Sequence, residues 1–189
     1  VMTRSMFVIS GSSGAGKSTL IEELSRRGYV VVREAGRQLA AEQQSIGGIA
    51  QPGTELFGQL LLSRSMYLYN RVLEADVRGP IFFDRSIIEP IAYWRSTGQM
   101  APHLSRAVER FRYATDVFMA PPWPEIFEKD AERQHSYDPE QKEYARLIEA
   151  FEAFGYRLIT LPKTSVDERA DFVEAHVRRL GHLQPGYKF

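Results

Sequence analysis

The sequence predicts an α/β fold in three layers, a five-stranded parallel sheet flanked by helices. Three observations predict it. Five short apolar runs alternate with longer segments of helical periodicity. Strands separated by helices favour a parallel sheet covered on both sides. A glycine-rich loop joins the first run to the first helix, at a strand's carboxyl end, where such sheets hold their ligands.

Met6-Phe7-Val8-Ile9-Ser10 reads as the first strand, fully buried. Residues 17–27 follow as a helix with Leu20, Ile21 and Leu24 on one face. Residues 29–33 form a second strand and 35–44 a helix, and 47–53 is a loop with Gly-Gly and proline. Residues 54–78 are largely helical, with Phe57, Leu60, Leu61, Leu68 and Val72 as core positions. Pro80-Ile81-Phe82-Phe83-Asp84 is the third strand, and helices at 87–96 and 104–113 flank a turn at 98–102. Asp116-Val117-Phe118-Met119-Ala120 is the fourth strand, stopped by Pro121-Pro122-Trp123-Pro124. A helix over 139–154 aligns Tyr144, Leu147, Ile148, Phe151 and Phe154, and a fifth strand spans 156–161. The last helix, 166–180, spaces Val166, Ala170, Val173, Val177 and Leu180 by fours and threes. Ser165 is its N-cap, in a capping box with Glu168.

The 189 residues suit one domain, 1–189, with residues 125–143 as a candidate lid. Lys plus Arg and Asp plus Glu are both 24, so no global field draws the protein to nucleic acid or an anionic membrane. The absence of cysteine excludes disulfides, thiolate zinc sites, iron–sulfur clusters and cysteine nucleophiles. His103, His135, His176 and His182 are scattered and form no HExxH pair. No apolar run spans a bilayer and no secretory layout opens the chain, so a soluble, cytoplasmic protein is expected.

Gly11-Ser12-Ser13-Gly14-Ala15-Gly16-Lys17-Ser18 matches G-x-x-x-x-G-K-[ST], the P-loop. Its glycines let backbone N–H groups turn inward around phosphate oxygens, helped by the following helix N-terminus. Lys17 would reach the β- and γ-phosphates, Ser18 would ligate Mg²⁺, and Thr19 would touch the α-phosphate. The nucleotide is ATP, with GTP as the alternative. The spacing is not the dinucleotide G-x-G-x-x-G.

Asp84 ends the third strand as a carboxylate placed to hold Mg²⁺ with Ser18, and Arg85 beside it could grip a phosphate. Alternatively, Asp84 or Ser86 caps the next helix. Glu34 ends the second strand, either as a base toward an acceptor hydroxyl or as a carboxylate favoured by a helix N-terminus. Arg37, one turn on, either neutralises substrate charge or is simply solvated. In the candidate lid Arg133 is the first choice for a cation over the moving phosphoryl group, and Lys129 the second. That segment carries seven acids against three Lys or Arg residues, an odd balance for a phosphate cover. Trp94, Trp123, Tyr93 and Tyr137 could stack on a base or simply pack.

On these residues the chain resembles the small P-loop, kinase-like ATPases grouped as an AAA-domain family. They are similar to the ribosylnicotinamide-kinase domain of bacterial NAD-biosynthesis regulators and, more distantly, to deoxynucleoside kinases. The resemblance covers about residues 6–173. Its marks are Phe7 through Thr19, Glu34-Ala35-Gly36-Arg37, Phe82-Phe83-Asp84-Arg85, Pro121-Pro122-Trp123-Pro124-Glu125-Ile126, Asp130-Ala131-Glu132-Arg133 and Gly155-Tyr156. It implies that Glu34 and Asp84-Arg85 face an acceptor and that Arg133 lies in a lid. Deoxynucleoside kinases usually carry Glu-Arg-Ser where this chain has Asp84-Arg85-Ser86, and their lids are richer in arginine. The expected activity is Mg²⁺-dependent phosphoryl transfer from ATP to a hydroxyl of a small nucleoside- or nucleotide-like metabolite. Lys17, Asp84, Arg85, Glu34 and Arg133 would carry it. The rival is an NTP-hydrolysing switch acting through a protein partner that supplies a missing arginine.

Overall fold

Alternation along the central strand sets the layers. Strand β1 (Ser5–Gly11) is buried throughout, and its successive side chains point to opposite faces of the sheet. Met6 and Val8 enter one apolar core, with Ile81, Phe83, Val117 and Met119. Phe7 and Ile9 enter the other, with Phe82 and Phe118. The computed structural model describes residues 5–48, 53–75, 77–124 and 138–182.

After β1 come α1 (Lys17–Arg26), β2 (Val30–Val32), α2 (Ala35–Ser45), α3 (Glu55–Glu74) and β3 (Pro80–Asp84). Then follow α4 (Ile88–Ser96), α5 (Pro102–Arg110), β4 (Asp116–Ala120), α6 (Asp138–Ala153), β5 (Arg157–Thr160) and α7 (Val166–Arg179). All strand pairs are parallel, in the order β2-β3-β1-β4-β5. Leu20, Ile21 and Leu24 of α1 share a core with Ala170, Val173 and Val177 of α7. Helices α3 to α6 cover the opposite face through Leu62, Tyr69, Ile91, Leu104, Leu147 and Phe151. Each of these fully buried side chains is worth up to about 2–3 kcal/mol of transfer free energy.

The element order agrees with the sequence expectation, and departures cluster at ends. Pro102 is not the end of a turn but opens α5, where its missing N–H costs nothing. Leu180 lies past the last turn of α7 and is 38% exposed, while Arg169 is buried on that helix instead. Leu60, Leu61 and Leu68 are half-buried, and the fully buried residues of α3 include Leu62 and Tyr69. Leu61 and Leu68 line a cavity rather than the core. The Ser165–Glu168 capping box is formed in both directions.

The register positions the site. Ile9 of β1 lies opposite Asp84 of β3, and Gly11 opposite Ala120 of β4. The loops after β1 and β3 therefore start side by side, beyond the carboxyl ends of neighbouring strands. None of the described helices is long and apolar enough to cross a membrane.

Candidate functional site

Gly11 begins the loop under a steric constraint. Its φ is +127°, and a Cβ there would run into the Ala120 carbonyl, so no other residue fits. The chain then turns through Gly14 and Gly16, both left-handed, into α1. The first turn of α1 has no acid, so the positive end of its dipole faces the loop uncompensated. Lys17 is buried, and its Nζ donates to the Ser12 carbonyl at 2.5 Å. Burial pulls its pKa down to about 8, and Arg85 adds to this, while Asp84, Glu143 and Glu34 oppose it. Lys17 is thus a desolvated cation held by the loop itself, ready to meet an anion.

Across the gap stands Asp84, 5% exposed. Ser18 Oγ donates to its Oδ2 at 3.5 Å, and its Oδ1 is buried with no hydrogen-bond partner. Burial pushes the Asp84 pKa up to about 6; Glu34 and Glu89 add to the rise, and Lys17 and Arg85 oppose it. A buried carboxylate oxygen without a donor is a place for a cation. A Mg²⁺ ion takes one or two protein oxygens and completes its shell with water and phosphate, so Ser18 and Asp84 fit it. Among the described residues no group of three or more His, Asp or Glu side chains gathers into a metal cage.

Arg85 is the one non-glycine residue with positive φ among those described, at +71°. That conformation costs about 1–2 kcal/mol. Its N–H bonds the Ile9 carbonyl at 3.0 Å, which holds the backbone there. The side chain turns between two carboxylates, with Nε 3.3 Å from Glu34 Oε1 and Nη1 3.4 Å from Glu143 Oε1. Burial alone would lower its pKa, but Glu143, Glu89, Glu34 and Asp84 outweigh it and keep the guanidinium charged. Glu89 is anchored separately. Ser10 Oγ donates to it at 2.6 Å, and the Ser86 N–H and hydroxyl donate at 2.7 and 2.6 Å. Ser86 Oγ in turn accepts from the Ile88 N–H, so Ser86 and not Asp84 caps the start of α4.

Beyond Arg85 opens a cavity of about 440 Å³ with Ser13 of the loop at one end. Helices α2, α3, α4 and α6 wall it, with Arg37, Phe57, Leu61, Tyr93 and Arg146 among the lining side chains. Its volume falls within the usual range for small-molecule sites, about 300–1,000 Å³. Arg85 thus lines the cavity that Ser13 of the loop also borders, while Asp84 beside it faces Ser18 at the start of α1.

A family model described as an AAA domain matches residues 6–169. The chain belongs to that family. No protein with a curated description matches the sequence of this AAA-domain protein. Solved structures do match its fold. NadR protein in complex with NR aligns with a TM-score of 0.73 and 16% identity, covering 97% of this chain and 54% of that one. Deoxyadenosine kinase from M. mycoides with bound dATP gives 0.55 and 13%, covering 93% and 100%. Thymidylate kinase from Candida albicans gives 0.61 and 14%, covering 95% and 93%. At such identities the likeness shows the fold, that of P-loop nucleoside and nucleotide kinases.

In the AAA-domain protein the residues singled out from sequence converge. Ser18 reaches Asp84, Arg85 pairs with Glu34, and Lys17 is near enough to Asp84, Arg85 and Glu34 to feel their charges. Thr19 is exposed on the first turn of α1. Arg133, Lys129 and Tyr137 lie outside the described residues, as do positions 125–137 of the candidate lid. Positions 138–143 form the opening turns of α6, and Glu143 there is a counter-ion of Arg85. Trp94 is core, packed close against Gly58. Sequence reasoning missed four further residues. Glu89 was visible as the end of Ser86-Ile-Ile-Glu, a capping-box pattern. Glu143 and Arg146 carry no local signal, since long-range packing brings α6 to Arg85. Arg169, 5% exposed, donates Nη1 to the Gly16 carbonyl at 3.1 Å, and its guanidinium carbon lies 5.7 Å from the Trp123 ring centroid. Burial lowers its pKa.

Proposed function

We propose that the protein is a Mg²⁺-dependent phosphotransferase, moving the γ-phosphoryl group of ATP to a hydroxyl of a nucleoside- or nucleotide-like metabolite. In this reading residues 1–189 act as one cytoplasmic domain. The observation that carries it is the shared wall: Ser13 of the glycine-rich loop and Arg85, the neighbour of Asp84, both line the cavity. A hydrolytic switch needs the loop but has no use for a metabolite-sized chamber beside it. The nucleoside- and nucleotide-kinase neighbours support the same reading.

The roles follow from the chemistry. Loop N–H groups and the start of α1 hold the polyphosphate, and Lys17 offsets charge on its β- and γ-oxygens. Mg²⁺ on Ser18 and Asp84 would supply charge neutralisation and in-line geometry. Glu34 accepts the proton side of the acceptor hydroxyl and orients it. Arg85 faces the transferring group, and Arg133 is the proposed second cation.

The test is a transfer screen with γ-labelled ATP or GTP against nucleosides, nucleotides and vitamin-like alcohols. A labelled small-molecule product is expected. Free phosphate with no product would replace the reading with the partner-driven switch. Lys17→Ala should cut triphosphate affinity at least about 100-fold, since it removes a buried charge-assisted contact. Unchanged affinity in a nucleotide titration would remove the loop from the site.

A further inference from the structure

Charge alternates outward from Arg85 along two helices. The first ring is Glu34 at the start of α2 and Glu143 on α6, each paired with Arg85. Three residues further along the same helices stand Arg37 and Arg146, which also line the cavity. Residues three apart share a helix face, so each arginine lies about one turn, roughly 5 Å, beyond its carboxylate.

The carboxylates of this cavity are already engaged. Glu34 and Glu143 hold Arg85, and Glu89 takes three donors from Ser10 and Ser86. The outer arginines are less committed. Arg37 is 73% exposed and touches Glu34 at 3.4 Å. Arg146 has a buried Nε with no hydrogen-bond partner, and its guanidinium carbon lies 5.9 Å from the Tyr93 ring centroid. The wall therefore offers spare donors and few spare acceptors, next to the aromatic faces of Phe57 and Tyr93.

We infer that the cavity takes an acceptor that already carries an anionic group, a phosphate monoester or a carboxylate, received by Arg146 and Arg37. Its hydroxyl end faces Arg85 and its anion sits about one helical turn away. This rests on reading the cavity as the acceptor site. A neutral acceptor would leave the buried donor of Arg146 unsatisfied, whereas an anion meets it with charge-assisted bonds.

The test is calorimetric binding in the presence of Mg²⁺ and a saturating non-hydrolysable ATP or GTP analogue. The probes are paired ligands differing only in charge: nucleosides with their 5′-monophosphates, and sugar alcohols with the matching sugar acids. At least one anionic member should bind about 10- to 100-fold tighter than its neutral partner, the ratio expected for a hydrogen bond to a charged group. The phosphate and carboxylate pairs separate the two sources. In R146A, and in the exposed R37A, the preference should shrink to a few-fold while affinity for the triphosphate analogue is kept. The inference is overturned if no anionic member outbinds its partner, or if the preference survives both variants. Anion-selective binding with no labelled product would keep the anion site at Arg146 and Arg37 and sink the phosphotransferase reading. Transfer to neutral acceptors alone would do the reverse.

Discussion

Replacing Asp84 with asparagine probes the electrostatics of the site with no ligand present. The carboxylate is 5% exposed and its Oδ1 has no donor. Burial raises its pKa from 3.8 to about 6, net of the opposing pull of Lys17 and Arg85. That displacement of about 2 pH units corresponds to about 3 kcal/mol between the protonation states. An acid that binds its proton more tightly when folded stabilises the fold in its protonated form. That contribution is complete below the unfolded pKa of 3.8 and is lost as pH rises through about 6. At pH 7 the wild-type fold carries an ionised, buried, metal-free carboxylate, and the near-isosteric amide does not. Metal-free D84N should therefore exceed wild type in stability by up to about 3 kcal/mol at neutral pH, with the two converging near pH 4. Urea unfolding in chelator, repeated from pH 4 to 8, measures the gap. A gap of zero or opposite sign at pH 7, or one constant with pH, would refute the reasoning. The same variant should lose Mg²⁺-dependent nucleotide binding, which marks the strain as functional.

At Arg85 the strain lies in the backbone. R85G and R85A both remove the guanidinium, but only alanine keeps a Cβ at a φ of +71°. R85G should be the more stable by about 1 kcal/mol in thermal unfolding, and both should lose turnover. The opposite order would show that the left-handed conformation costs nothing. At the far end of the sheet, Asp116 accepts from Arg157 at 2.7 and 2.9 Å and contacts His176 Nε2 at 2.6 Å. Burial would raise its pKa, but these partners outweigh it and hold it below the ordinary carboxylate value. Stability from this group is present above pH 3.8 and is lost as pH falls through its folded pKa. D116N should cost about 1 kcal/mol at pH 7 by urea unfolding, with the deficit closing in acid. R169M, which keeps length and removes the Gly16 contact, should lower triphosphate affinity about tenfold while stability stays within about 1 kcal/mol. Unchanged affinity in a nucleotide titration would reduce Arg169 to scaffold.

What was legible in the sequence was whatever a local pattern encodes. Phe82-Phe83-Asp84 announces a buried strand ending in an acid, and Ser165 with Glu168 announces a helix start. The three loop glycines announce a tight turn with backbone conformations closed to other residues, and Gly11, Gly14 and Gly16 all take positive φ. Arg169 was illegible for the same physical reason. A buried arginine sits on an apolar stripe only because the Gly16 carbonyl, 153 residues away, waits to accept from it. The acid surplus of 125–143 is an odd balance for a phosphate-covering flap. Part of it dissolves at Glu143, which belongs to α6 and neutralises Arg85 from 58 residues away. Counting charge by segment assigns that acid to the wrong partner, because what a charge does depends on the dielectric and the counter-ion it meets. Arg85 meets Glu34 and Glu143 in a buried pocket, and so the guanidinium next to Asp84 stays charged and oriented before any ligand arrives.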